Sequence, residues 1–178
     1  MLNFFVNPYQ DKPCFVNKRL FQTLSDVYHQ NAFGCIRQEG SKLRTYAVFK
    51  TEIGFEKYLT HIRNKKVRIQ ISQFRLSNHK LMIESGRHKK LQKEWRICPL
   101  CNNGIEDEIH FLFTCQIYQP LREIYITDLL FENPYFQFYD VWKKLKYLMA
   151  NIDRSTGKYI YNWFEIRNLL LNKPKRNV

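Results

Sequence analysis

Residues that interrupt helices are scarce in this chain. Six glycines and six prolines in 178 residues are about half the roughly 12% of an average protein, and with long amphipathic runs between them they favour a mostly α protein. Acids are the second shortage: 16 Asp and Glu stand against 29 Lys and Arg, a formal charge of +13 with a pI near 9.6. That excess suggests a polyanionic partner, with nucleic acid the default and a membrane surface the lesser option. No run approaches the roughly 18 to 20 apolar residues of a membrane span. The opening MLNFFVNPYQ lacks the basic start and long apolar core of an export signal. A soluble protein that does not act at a membrane is expected, intracellular in the nucleus or cytoplasm. Adjacent aspartates occur nowhere, whereas two-metal nucleotidyl transfer needs closely placed carboxylates. There is also no Gly-rich phosphate loop and no G-x-S-x-G turn, and internal repeats are absent. Neither enzymatic activity nor a small-molecule substrate is expected.

Cysteine is present in a pattern. Of five cysteines, three fall with a histidine in the order Cys98, Cys101, His110, Cys115, a C-x2-C-x8-H-x4-C spacing that suits one tetrahedral metal. A thiolate pair two residues apart closes a tight knuckle, with Pro99 restricting the backbone between them. Four soft or borderline ligands with no open position point to one structural Zn²⁺. The alternative is three buried thiols and a core histidine. Cys14 and Cys35 are single thiols without a partnered motif and read as buried packing. With three thiols assigned to metal and no export signal, a reducing compartment is expected. Glu106, Asp107 and Glu108 form the only acidic cluster and read as the solvated first turn of a helix carrying His110. Asp140 with Lys143 reads as an exposed helix pair.

Aromatics make up 16% and apolar residues 44% of the chain, enough for a sizeable core. The organisation reads as four segments: 1–40, an extended lead-in and a short helix; 41–95, a helical basic segment; 96–132, the CCHC knuckle and a helix; and 133–178, a helical pair with a basic tail at Lys175-Arg176. A helix over 18–30 would turn Leu20, Leu24, Val27 and Tyr28 to one face, with Gly34 and Gly40 punctuating the stretch after it. Ser41 can cap a helix through Lys50, and Phe55, Tyr58, Leu59 and Ile62 repeat a helical stripe beyond a hinge near Gly54. Over 64–78, Val67, Ile71 and Phe74 share a helical face with Arg68 and Arg75 off it, although the alternation of Val67, Ile69 and Ile71 also permits a strand. Gly86 would break the next segment, a helix would resume at Leu121 after Pro120, and Pro134 would open a helix burying Phe138, Val141, Trp142, Leu145 and Leu148. A turn over 153–157 would precede a last helix over 158–172, with Ile160, Trp163, Phe164 and Leu171 inward.

Charge is uneven along the chain. Residues 63–96 hold eleven Lys and Arg against Glu84 and Glu94, whereas 102–132 hold six acids against Arg122 alone. Candidate phosphate contacts are Arg63, Lys65, Lys66, Arg68, Arg75, Arg87, Lys89, Lys90, Lys93 and Arg96. Phe74 and Trp95 could stack on unpaired bases, and His79 and His88 sit among the cations. Replacing Arg68 and Arg75 by Glu should then weaken binding without unfolding the chain.

Four strings, SKLRTYAVFKTEIGFEKYL, FRLSNHKLMIESGRH, RICPLCNNGIEDEIHFLFTCQIYQPLR and KYIYNWFEIR, resemble the C-terminal zinc-binding region of non-LTR (LINE-type) retrotransposon reverse transcriptases. The similarity covers residues 27–170, and the knuckle with EDEIHFLFTC is its most specific part. The resemblance implies that Cys98, Cys101, His110 and Cys115 ligate the metal. It also implies that the region helps hold element RNA or target DNA for a reverse transcriptase core. On this resemblance the chain is a free-standing C-terminal remnant of such an element, without its polymerase and endonuclease parts. Three functions are expected: a zinc-stabilised RNA- or DNA-binding module, a protein-interaction or structural domain, or an inactive remnant.

Overall fold

The computed structural model describes residues 15–38, 43–52 and 54–172. The expected lead-in, Cys14, the punctuating Gly40, the cap at Ser41, Pro174 and the Lys175-Arg176 tail lie outside them. The protein is a mostly α domain of eight helices among those residues: α1 (Phe15–Arg37), α2 (Arg44–Phe49), α3 (Tyr58–His61), α4 (Lys65–Arg75), α5 (Met82–His88), α6 (Gln119–Glu132), α7 (Val141–Ala150) and α8 (Arg154–Asn172). The extended pairing among the described residues is a single antiparallel bridge between Ile97 and Ile105.

The centre is the contact of α4 with α8. Asn64 caps α4, its side-chain oxygen accepting from the Lys66 and Val67 amides. The helical phase then turns Val67, Ile71 and Phe74 into the core, so the strand alternative for this stretch falls. Asp153 caps α8 by accepting from the Thr156 amide at 2.7 Å. Gly157 is therefore inside the helix rather than in a turn. It presses bare backbone onto its neighbour: a Cβ there would stand 2.8 Å from Ile62 Cδ1 and 2.9 Å from Ile71 Cδ1. Further along, Phe164 meets Phe74 edge-on at 5.8 Å, so α4 and α8 run in the same direction with their N-terminal ends together. Phe111, Tyr118 and Trp163 extend this aromatic core toward the knuckle.

Several faces differ from expectation for physical reasons. α1 runs through Gly34 in one piece, and Leu20, Leu24, Val27 and Tyr28 are exposed, as is Phe21. Its period is amphipathic, yet no described element covers that face. Cys35 is exposed rather than buried. α3 is one turn long, so the expected stripe splits: Tyr58 and Ile62 are buried while Phe55 and Leu59 face out. Gly86 does not break α5, and the aliphatic chain of Arg96 lies over it where a Cβ would be 2.7 Å from Arg96 Cγ. Pro134 opens a separate 3-10 turn, Pro134–Phe138. Asp140 then restarts the chain as α7 by accepting from the Trp142 and Lys143 amides. That restart resets the phase, so Leu145, Leu148 and Met149 are buried while Phe138, Val141 and Trp142 are exposed. Leu171, near the end of α8, is also outside the core. Pro120 sits in the first turn of α6, where its missing amide hydrogen is no loss. No helix among the described residues is long and apolar enough to cross a membrane.

Candidate metal centre

Two local devices bring the four proposed ligands together. In the first, the Ile97–Ile105 bridge folds the chain back on itself, with the Cys98 amide donating to the Gly104 carbonyl at 3.0 Å and the Asn102 amide to the Cys98 carbonyl at 2.9 Å. The turn between requires left-handed backbone at Asn102 (φ 52°) and Gly104 (φ 81°), residue types that tolerate it. In the second, Asp107 Oδ1 accepts from the His110 amide at 2.7 Å, starting a turn in which the Cys115 amide bonds back to the His110 carbonyl at 2.8 Å. That is a π-type step spanning five residues. An α-helix would swing residues five apart to different sides of its cylinder, and the wider turn returns His110 and Cys115 to one side.

The three Sγ atoms and the imidazole nitrogen all lie within 4.8 Å of one another, and Cys101 Sγ is 3.3 Å from His110 Nε2. Ligands of a tetrahedral zinc, with bonds of about 2.0 to 2.3 Å, stand roughly 3.5 to 3.8 Å apart, so small side-chain shifts complete a four-coordinate cage. The second ring nitrogen, Nδ1, is 3.2 Å from Thr114 Oγ1, which fixes the ring with Nε2 toward the sulfurs. Burial pushes the Cys98 thiol up to about 12, assisted by the Glu106 charge and opposed by the Cys101 and Leu100 amides. It raises Cys115 as well and holds His110 below its ordinary value. A metal bound here would release the thiol protons, and three sulfurs with one imidazole nitrogen are soft or borderline donors within reach of one another. The donor set therefore fits a metal ion.

The acidic run is not the solvated surface that its local sequence suggests. Glu106 is fully buried, gripped by Arg167 Nε and Nη2 of α8 at 2.7 Å each, and it also accepts from the Met82 amide. Glu108 is buried too, accepting from Arg44 and Thr45 Oγ1 at 2.6 Å and meeting His79 Nε2 at 2.8 Å. Of the three, Asp107 alone keeps the expected role at a helical turn. The partners lie tens of residues away in sequence, and local spacing carries no sign of them.

The basic candidates divide into two groups. Arg63, Lys65, Lys66, Lys89, Lys90 and Lys93 are exposed and form no ion pair among the described residues. The other four are engaged within the protein, and of these Arg75 alone is buried. Arg68 donates to the Ile62 and Arg63 carbonyls. Arg75 is buried, pairs with Glu56, donates to the Met149 carbonyl and stands 4.2 Å from the Phe49 ring centre. Arg87 pairs with Glu84, and Arg96 donates to the Leu91 and Ile83 carbonyls. Arg75→Glu would therefore unfold the core rather than probe a surface. Phe74 is fully buried and cannot stack on a base, and His79 is committed to Glu108, whereas Trp95 and His88 are exposed. Compared with protein-family models, curated proteins and solved structures, the chain matches none.

Proposed function

We propose that Cys98, Cys101, His110 and Cys115 hold one structural Zn²⁺ and that the domain so stabilised binds RNA or DNA. The observation that carries the reading is the convergence of four donor atoms within 4.8 Å directly after a cationic loop. In that loop Lys89, Lys90 and Lys93 surround no acid but the exposed Glu94, and Trp95 presents a ring that is 68% exposed. Lysines supply phosphate contacts and an exposed indole a stacking platform, the combination that suits unpaired strands. Arg96 anchors the loop: its guanidinium spans the Leu91 and Ile83 carbonyls, so the loop is held to both α5 and the knuckle. Kinship with the C-terminal region of LINE-type reverse transcriptases, and a polymerase core as protein partner, belong to this proposal on the strength of the quoted strings. The test is elemental analysis of purified protein together with anisotropy titrations of single-stranded RNA and duplex DNA at several salt concentrations. One zinc per chain and a log affinity that falls linearly with log salt are expected. Stoichiometric absence of metal would remove the first half, and salt-independent or absent binding the second.

A protein-interaction role is the second reading, favoured by the apolar face of α1, which no described element covers. Its mark would be association in solution that survives nucleic-acid removal.

A further inference from the structure

We infer that a second phosphate-binding cleft lies where the starts of α4 and α8 meet, formed by Arg63, Arg154 and Lys158, and that it takes the sugar-phosphate backbone of the strand bound at the loop. The inference rests on the nucleic-acid reading above and adds to it a site on α8.

The cleft has a volume of about 230 Å³ and is lined by Ile62, Arg63, Asn64, Val67, Arg154 and Lys158. Its floor is apolar and its walls are cationic, and Lys65 and Lys66 follow, exposed, in the first turn of α4. Ligand pockets for whole small molecules start near 300 Å³, so this space suits a phosphate group with part of its sugar rather than a nucleotide. Arg154 is positioned by a hydrogen bond from its Nε to the His61 carbonyl at 3.1 Å. That bond leaves the two terminal nitrogens of the fork without a protein partner among the described residues, and such a fork suits phosphate.

The contrast with the cations that are paired makes the cluster informative, and the exposed loop lysines Lys89, Lys90 and Lys93 share it. Arg44, Lys50, Arg75, Arg87 and Arg167 each meet a carboxylate, whereas Arg63, Lys65, Lys66, Arg154 and Lys158 meet none among the described residues. No acid among the described residues lines the cleft itself; Asp153 has a carboxylate oxygen engaged in capping α8, Asp128 and Glu132 line a separate small pocket with Asp153, Ser155 and Thr156, and the next acid on the Arg154–Lys158 side of α8 is Glu165, two turns beyond Lys158. Drawing like charges together without a counterion opposes folding, and an anionic polymer relieves that repulsion. The positive ends of two helices add to the field. Because Asn64 and Asp153 already occupy some of their first amides, the side chains carry the site.

The experiment uses the full zinc-loaded chain and compares Arg154→Gln/Lys158→Gln with Lys89→Gln/Lys90→Gln, reading single-stranded RNA affinity across salt. The cleft variant is expected to lose about tenfold in affinity near 0.1 M salt. Its log–log salt slope should become shallower by roughly 1.4, two contacts at about 0.7 each. Lys158→Gln alone, which removes no side-chain hydrogen bond or ion pair among the described residues, should give about half that change and keeps the test sound if the double variant melts early. If the loop variant weakens binding while both cleft variants match the parent in affinity and slope, the cleft is overturned and the binding function stands. If the parent itself shows no salt-dependent binding, both fall.

Discussion

Glu108 shows how much one buried side chain can govern. Burial alone would raise its pKa, but the hydrogen bond and charge of His79, followed by Arg44, outweigh it and hold the carboxyl near 2 against an ordinary 4.5. A depressed folded-state value means that the group stabilises the fold above about pH 4.5 and that this contribution disappears as pH falls toward 2. Urea unfolding from pH 2 to 6 should therefore show stability dropping in that window, and Glu108→Gln should flatten the slope there, which separates it from acid loss of metal. The Glu106–Arg167 pair is a second test at this scale. Arg167→Met leaves a carboxylate uncompensated in the interior and should lose about 3 to 5 kcal/mol, while the double change with Glu106→Gln should recover part of it. At Gly157 the ordinary gain of roughly 1 kcal/mol for Gly→Ala in a helix competes with crowding of about 1 to 3 kcal/mol against Ile62, Ile71 and Val67. Since all three neighbours are themselves buried, crowding should win, and Gly157→Ala should lower the melting temperature.

Among elements, the knuckle is the one whose proposed support is a bound metal ion rather than apolar burial. Structural zinc in small fingers is worth about 10 to 16 kcal/mol of apparent folding free energy at neutral pH, comparable with the net stability of a whole domain. Chelation, or Cys115→Ser, should accelerate amide exchange first over 97–115, with α4 and the middle of α8 protected longest because Phe74, Ile160 and Phe164 still bury one another. The legibility of the elements divides in the same way. α4 and the middle of α8 are readable because their inward residues repeat at helical spacing within one short stretch, and the convergence of Cys98, Cys101, His110 and Cys115 because two pair spacings sit side by side. Gly86 and Gly157 look like breaks in the sequence because their purpose is close approach by a distant residue. Glu106, Glu108 and Arg75 look like surface for the same reason: their partners come from other helices. α7 is readable as a helix but not in its facing, since Asp140 resets the phase between Phe138 and Leu145.

For the whole molecule, the knuckle is not an appendage. Glu106 ties it to α8, Glu108 to α2 and His79, and the Met82 amide to α5. Metal removal should therefore depress the melting temperature of the entire domain rather than merely add an early local transition, which calorimetry with and without chelator will distinguish. The parallel run of α4 and α8 has its own consequence. Aligned peptide units add instead of cancelling, so this pair gives the protein an electrical axis with its positive pole at residues 63–66 and 154–158. A polyanion drifting near would turn the domain before touching it, and encounters would be oriented rather than random.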